Sequence, residues 1–338
     1  MTDFTELIDL ASERLGGAVL YANDDFFAPK ENLLKPSAPV FLEGEYTDRG
    51  KWMDGWESRR RRTPGFDWCV IRLGLAGRVR GVVVDTSYFR GNYPEQCSLE
   101  ACTVAGQPGV EELIEESNIW TEILPVSQLA GDSQNPFAVE SVERFTHLRF
   151  KIYPDGGVAR LRVYGEVAPD WARLVRRGGE IDLAAVEHGG LVVACSDMFF
   201  GHRHNLIMPG RALNMSDGWE TKRRRGAGHD WAVIKLGARA RAIRRIEVDT
   251  THFKGNYPDT CSLEACALAG DPVAEADWSS FAWREVLPRT KLQAHTRHQF
   301  EGEIAGAPAA THLRFNIYPD GGVSRLRVYC DVDAGAVL

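Results

Sequence analysis

From Thr146 the chain alternates strictly between polar and apolar positions. His147, Arg149, Lys151 and Tyr153 take one parity, and Leu148, Phe150 and Ile152 take the other. A period of two predicts a strand with one buried face. Pro154-Asp155-Gly156-Gly157 then predicts a turn, because proline fixes φ and glycine supplies φ > 0. Alternation resumes over Arg160 to Tyr164, with Leu161 and Val163 inward. Val79 to Asp85 (V-R-G-V-V-V-D) and Ile243 to Asp249 read as β-branched strands. The opening residues carry a helical period instead. Phe4, Leu7, Ile8, Ala11 and Leu15 share one helical face, which predicts a short amphipathic helix within residues 1–15. Short strands with long loops predict an all-β chain of antiparallel β-sandwiches, with a jelly roll as the specific topology.

The pattern occurs twice. Asp85 to Cys102 (D-T-S-Y-F-R-G-N-Y-P-E-Q-C-S-L-E-A-C) returns as Asp249 to Cys266, identical at 13 of 18 positions. Thr146 to Gly165 returns as Thr311 to Cys330, with 17 of 20 identical. Asp54 to Arg62 matches Asp217 to Arg225 at 7 of 9, and Asp24 to Leu34 aligns with Asp197 to Ile207. The offset falls from 173 to 163 between Asp24 and Asp54, so the first copy holds ten extra residues around Pro36 to Lys51. Copies of this size are domains rather than solenoid repeats. The expected layout is a first sandwich over 16–167, a linker over 168–188 and a second sandwich over 189–333. A short helix is expected near Trp171 to Val175.

Composition narrows the function classes. A formal net charge of -7 argues against a general nucleic-acid binder. No apolar run approaches the roughly 20 residues that span a bilayer, and the N-terminus lacks a signal-peptide pattern. The 7 cysteines include no zinc-type C-x-x-C pair. Cys97 with Cys102, and Cys261 with Cys266, are five apart, which suits buried free thiols better than disulfides. No H-E-x-x-H, Walker loop or nucleophile elbow is present.

Several polar positions recur in both copies. Asp85 and Asp249 end strands at a Gly-Asn-Tyr-Pro loop, as turn caps or as site residues. Gly91, Asn92 and Pro94 read as turn chemistry, while Tyr93 and Tyr257 fit packing or a site equally. Glu100 and Glu264 sit in C-S-L-E-A-C on a strand, where partial burial raises a carboxyl pKa unless a cation pairs with it. The runs Arg59 to Arg62 and Arg223 to Arg225 read as ion-pair networks or as anion sites, since guanidinium forks bind carboxylates and phosphates. Tyr88 in one copy stands where His252 stands in the other, and Phe66 where His229 stands. Histidine titrates near neutrality, so the copies differ chemically and the second has the richer acid/base inventory.

K-W-M-D-G-W-E-S-R-R-R at Lys51, D-T-S-Y-F-R-G-N-Y-P at Asp85, its S-L-E-A-C tail and Y-P-D-G-G-V-A-R-L-R-V-Y-G at Tyr153 resemble the allantoicase family, over about Gly16 to Val332. The resemblance implies tandem jelly rolls related to galactose-binding-like domains, arising by internal duplication. It implies a cytoplasmic homo-oligomer that hydrolyses allantoate to ureidoglycolate and urea. A divalent metal is an option it leaves open; no cofactor is specified. Ureidoglycolate hydrolysis, or ligand binding without catalysis, is the alternative. Allantoate carries one carboxylate and two ureido groups on one carbon, so cleavage needs an anion clamp and an acid/base group. The candidates for acid/base work are Glu100, Glu264, Asp85, Asp249 and His252. Arg60, Arg90, Arg160, Arg224, Lys254 and Arg325 are the anion-binding candidates, and Tyr93 and Tyr257 could hold the ureido arms.

Overall fold

The computed structural model describes residues 3–106, 108–115, 120–270, 276–306 and 309–332. The chain divides into two compact units, Met1–Ala168 and Pro169–Leu338. Each is an antiparallel β-sandwich of jelly-roll type, as the alternation predicts.

The first unit is built around one 19-residue strand, β6 (Asp67–Asp85). Before it come β1 (Ile8–Asp9), β2 (Ala18–Ala22), β3 (Tyr46–Thr47), β4 (Gly50–Lys51) and β5 (Trp56–Glu57). After it come β7 (Gln96–Cys102), β8 (Thr121–Gln128), β9 (Gln134–Ala138), β10 (Phe145–Tyr153), β11 (Gly157–Val158) and β12 (Arg160–Val167). The first half of β6 pairs with β2 and β10, and its second half with β9 and β12. One strand therefore serves both layers. The change of partners falls at Gly77, where a side-chain Cβ would come within 2.4 Å of the Glu166 carbonyl. Leu148, Phe150 and Ile152 of β10 are buried in the core, as are Val82, Val84, Leu161 and Val163. Arg149, Lys151 and Tyr153 take the outer face, half-exposed. His147 shares their parity but is buried, with Nδ1 2.9 Å from the Thr146 hydroxyl.

The second unit repeats the plan. Its strands are β13 (Ile181–Asp182), β14 (Leu191–Cys195), β15 (Trp219–Glu220), β16 (Asp230–Asp249) and β17 (Thr260–Cys266). They continue through β18 (Arg284–Lys291), β19 (Arg297–Phe300), β20 (Ala310–Tyr318), β21 (Gly322–Val323) and β22 (Arg325–Val332). The strand order β13-β22-β16-β20-β17-β18 mirrors β1-β12-β6-β10-β7-β8.

Two expectations are corrected. The opening residues do not form an amphipathic helix. They make 3-10 turns at Phe4–Glu6 and Glu13–Leu15, with β1 between them paired to β12 through Ile8 and Gly165. The edge of β12 would otherwise expose unpaired backbone groups, and Asp9 Oδ1 also accepts the Val163 N–H at 3.0 Å. The same apolar spacing serves a turn–strand–turn segment. Likewise Ile181–Asp182, inside the stretch read as linker, pairs with β22. The short helix within that stretch does form, over Trp171–Arg177. The described cysteines are free thiols. Burial pushes the Cys97 and Cys261 thiols up to about 12.

Candidate functional site

The Gly-Asn-Tyr-Pro loop is anchored from below. Phe89 is fully buried, and a Cβ at Gly157 would come within 1.9 Å of its ring. Phe253 and Gly322 repeat the contact at 1.9 Å. This packing accounts for Phe and Gly-Gly being kept in both copies. Asp85 caps the turn: its Oδ1 accepts the Ser87 N–H at 2.8 Å, and Asp249 does the same for Thr251 at 2.8 Å. Both aspartates are buried and face the turn they cap. Tyr93 packs on the small core of Met53, Phe89 and Ala159.

Above the loop lies a cleft of about 310 Å³ in the first unit. Phe27, Lys51, Glu57, Tyr88, Arg90 and Asn92 line it. Glu57 comes from β5, fixed through the fully buried Trp56. Asn92 donates its side-chain N–H to Glu57 Oε1 at 2.7 Å. Burial raises the Glu57 pKa, and this bond lowers it less than burial lifts it. Arg90 is 80% exposed and sits 3.0 Å from Asp132. Lys51 lies over the Phe41 ring at 4.5 Å, and Phe41 stacks on Tyr88 at 5.6 Å. Tyr88 itself is held at φ 70 by its N–H bond to Asp132, 2.7 Å. Lys51, Gly50 and Phe41 all fall in the stretch around Pro36 to Lys51 that holds the extra residues of the first copy, so this stretch supplies one wall and one cation.

The second unit has the same floor and a different rim. Asn256 donates to Glu220 as Asn92 does to Glu57. Lys254 takes the place of Arg90, and His295 that of Asp132. His252 sits at φ 75: its backbone N–H donates to His295 Nδ1 at 2.8 Å, and its Nε2 lies 3.0 Å from the Ala212 carbonyl oxygen. With no insertion beside it, Phe200 is 61% exposed.

Residues 8–168 and 181–333 each match the family described as Allantoicase repeat. The chain belongs to the allantoicase family. It is 49% identical over 327 residues to a probable allantoicase 1 of Burkholderia mallei, covering 96% of this chain and 95% of that one. A probable allantoicase of Pseudomonas syringae is 48% identical over 326 residues, covering 96% of both chains. Among solved structures, the allantoicase of Saccharomyces cerevisiae superposes with a TM-score of 0.81 at 36% identity, covering 96% of this chain and 93% of that one.

Within this allantoicase fold the expected site residues separate. Arg90 lines the cleft, and Lys254 and His252 hold the matching places in the second unit. Glu100 stands elsewhere, on the outer sheet face, 2.5 Å from Arg149 and 2.5 Å from Lys151. Burial alone would raise its pKa, but the hydrogen bonds and charges of Lys151 and Arg149 hold it below the ordinary carboxylate range. Glu264 lies on the equivalent face, with Asn316 Nδ2 at 2.9 Å and Arg314 at 4.0 Å. Arg160 is 1% exposed, 2.6 Å from Asp54, and donates to the Asp54, Ala159 and Ser37 carbonyls. Arg325 repeats this with Asp217 at 3.0 Å, and burial lowers its pKa to about 10. Both guanidinium groups tie the 54 and 217 loops to the sandwich. Arg60 is exposed on the surface. Arg224 corresponds in space to Arg61, each donating its backbone N–H to an aspartate, Asp320 or Asp155, at 2.8 Å. Residue-type reasoning passed over Glu57, Lys51 and Asn92. Glu57 and Glu220 were visible as an identical pair in D-G-W-E, and Asn92 was absorbed into the turn reading.

Among the described residues, no three His, Cys, Asp or Glu side chains stand close enough together to hold a metal. No described helix is long and apolar enough to cross a membrane.

Proposed function

We propose that the cleft of the first unit is where this allantoicase hydrolyses allantoate to ureidoglycolate and urea, with Glu57 as the acid/base group. The activity follows from family membership; the assignment of residues rests on the Glu57–Asn92 pair beside two cations. A carboxyl whose pKa is raised by burial keeps its proton closer to neutrality, which suits a general acid. Arg90 and Lys51 would take the substrate carboxylate, a task for cations at a rim. The Asn92 side chain and the Tyr88 ring flank the ureido arms.

The protons balance on one residue. Glu57 gives its proton to the departing ureido nitrogen as the bond from the central carbon breaks, and urea leaves. The nitrogen lone pair of the remaining ureido group stabilises the cationic carbon. Water then adds to that carbon, and the Glu57 carboxylate takes its proton. Glu57 ends protonated, and one water has been consumed. Urea release by Glu57→Gln should fall by about 10²–10⁴-fold, the usual scale of general acid–base assistance. Near-native urea release would remove Glu57 from the reaction.

A second reading places the acid at Glu264. It is favoured by one observation: the lysine that clamps Glu100 is replaced by Asn316, and His229 Nε2 lies 3.2 Å from that asparagine. Glu264→Gln with unchanged turnover sets this reading aside. A cytoplasmic homo-oligomer, with no nucleic-acid partner, is the setting we propose from the family resemblance, and light scattering of the purified protein tests its oligomeric part.

A further inference from the structure

A second cavity, of about 410 Å³, lies in the second unit where residues 222–226 face Ser196 and Asp197. Its walls carry Lys222, Arg223, Arg224 and Arg225 against two carboxylates, Asp197 and Asp230. Both carboxylates are already engaged. Asp230 accepts from the Ser196 hydroxyl at 2.9 Å and from Arg224. Asp197 accepts the Lys222 N–H at 2.7 Å and the Phe199 N–H at 3.2 Å. Lys222 Nζ stands 3.6 Å from Asp197, with its side chain 68% exposed. Arg223 and Arg225 are exposed and have no carboxylate partner among the described residues. Four cations against two anions leave the cavity with a net charge of about +2.

The third basic residue of the run is docked on an aspartate in both units, while the first unit holds the first one more tightly. There Arg59 is docked on Asp24 at 2.6 Å and lies over the Phe26 ring at 5.2 Å. Arg61 is docked on Asp67 at 2.6 Å. In the second unit the first basic side chain of the run is a lysine at looser range. Both runs carry more cations than their two aspartates balance, and the second unit differs in its looser first pair and in the open volume beside it.

We propose that this cavity is a binding site for a compact dianion, either inorganic phosphate or a small dicarboxylate. Guanidinium forks favour planar or tetrahedral oxyanions with two oxygens to share, and a volume of this order suits a small ligand. The site does not use Glu57, Lys51 or Arg90, so it stands apart from the reaction assigned above. It does share the segment that carries Glu220, since Phe200 N–H donates to the Glu220 carbonyl at 3.1 Å. A bound anion would therefore brace the floor of the second unit's loop end.

Calorimetric titration of the full chain at constant ionic strength, with phosphate in one arm and malonate in the other, tests this. One saturable site per chain is expected for at least one of them. Arg223→Ala/Arg225→Ala should weaken it by more than about tenfold while urea release from allantoate stays at the wild-type rate. Lys51→Met should leave the same binding intact, which separates the cavity from the substrate cleft. Saturation by phosphate alone identifies the oxyanion, and by malonate alone the dicarboxylate. Absence of saturable binding in both arms, or binding unmoved by the double variant, overturns the proposal.

Discussion

Glu57 is the residue on which opposing forces can be compared directly. Burial lifts its pKa, one neutral hydrogen bond from Asn92 lowers it, and burial prevails. Glu100 shows the opposite outcome, because it is less deeply buried and the two full charges of Lys151 and Arg149 outweigh that burial. If the protonated form of Glu57 is the active one, kcat/KM for allantoate should decline as pH rises through its raised pKa, and Glu57→Gln should lose that alkaline limb along with its rate. Lys51→Met should raise KM by about 10- to 100-fold with a smaller change in kcat, since one charge-assisted contact is worth roughly 1.5–3 kcal/mol. Arg160→Ala tests the other class of arginine. Removing it leaves buried Asp54 with only Lys35 at 3.5 Å and the Val40 N–H at 3.0 Å, a loss of up to about 3–5 kcal/mol, so the denaturant midpoint should drop sharply. At this scale the sequence was a partial guide. It exposed Asp85, Arg160 and Glu100 as repeated polar residues, but repetition marks turn caps and buried ion pairs as strongly as it marks sites. Only Arg90 of the first-copy candidates reached the cleft, because burial and partner identity are tertiary facts.

Period-two alternation placed β10 and β12 with their repeats β20 and β22, β-branched runs placed the second halves of β6 and β16, and the Pro-Asp-Gly-Gly turns that join β10 to β11 and β20 to β21 were equally legible. The N-terminal strand was not. A two-residue strand has no period of its own, and Ile8 and Ile181 are called into the sheet by the edges of β12 and β22. Asp182 secures the second of these edges, accepting the Val328 N–H at 2.9 Å and the Ala184 N–H at 3.2 Å. Asp182→Ala strips both buried donors and should cost on the order of 2 kcal/mol. The cost should depend on pH. Burial chiefly raises the Asp182 pKa to about 6, against the lowering effect of Arg327. A raised folded-state pKa gives stability that is full below the unfolded value of about 3.9 and lost as pH rises through the folded one. Urea unfolding should therefore show a larger loss on the acid side of this window than on the neutral side.

The two units share strand order, loop anchors and the Glu–Asn pair, yet they differ where a ligand would enter. The first unit adds the β3–β4 hairpin, and with it Lys51 and the Phe41–Tyr88 stack. The second leaves Phe200 bare and sets His252 and Lys254 at the rim. The duplication and the ten extra residues were plain in the sequence. Their consequence was not, because the histidines of the second copy suggested the richer acid/base inventory there, while the insertion encloses the cleft in the first. The central claim is that catalysis belongs to the first unit's cleft and runs through Glu57. Its most direct test is kcat for urea release from allantoate, measured side by side for Glu57→Gln and Glu220→Gln. Loss of about 10²-fold or more in Glu57→Gln, with Glu220→Gln close to wild type, is the predicted result; equal loss in both, or loss confined to Glu220→Gln, would contradict it.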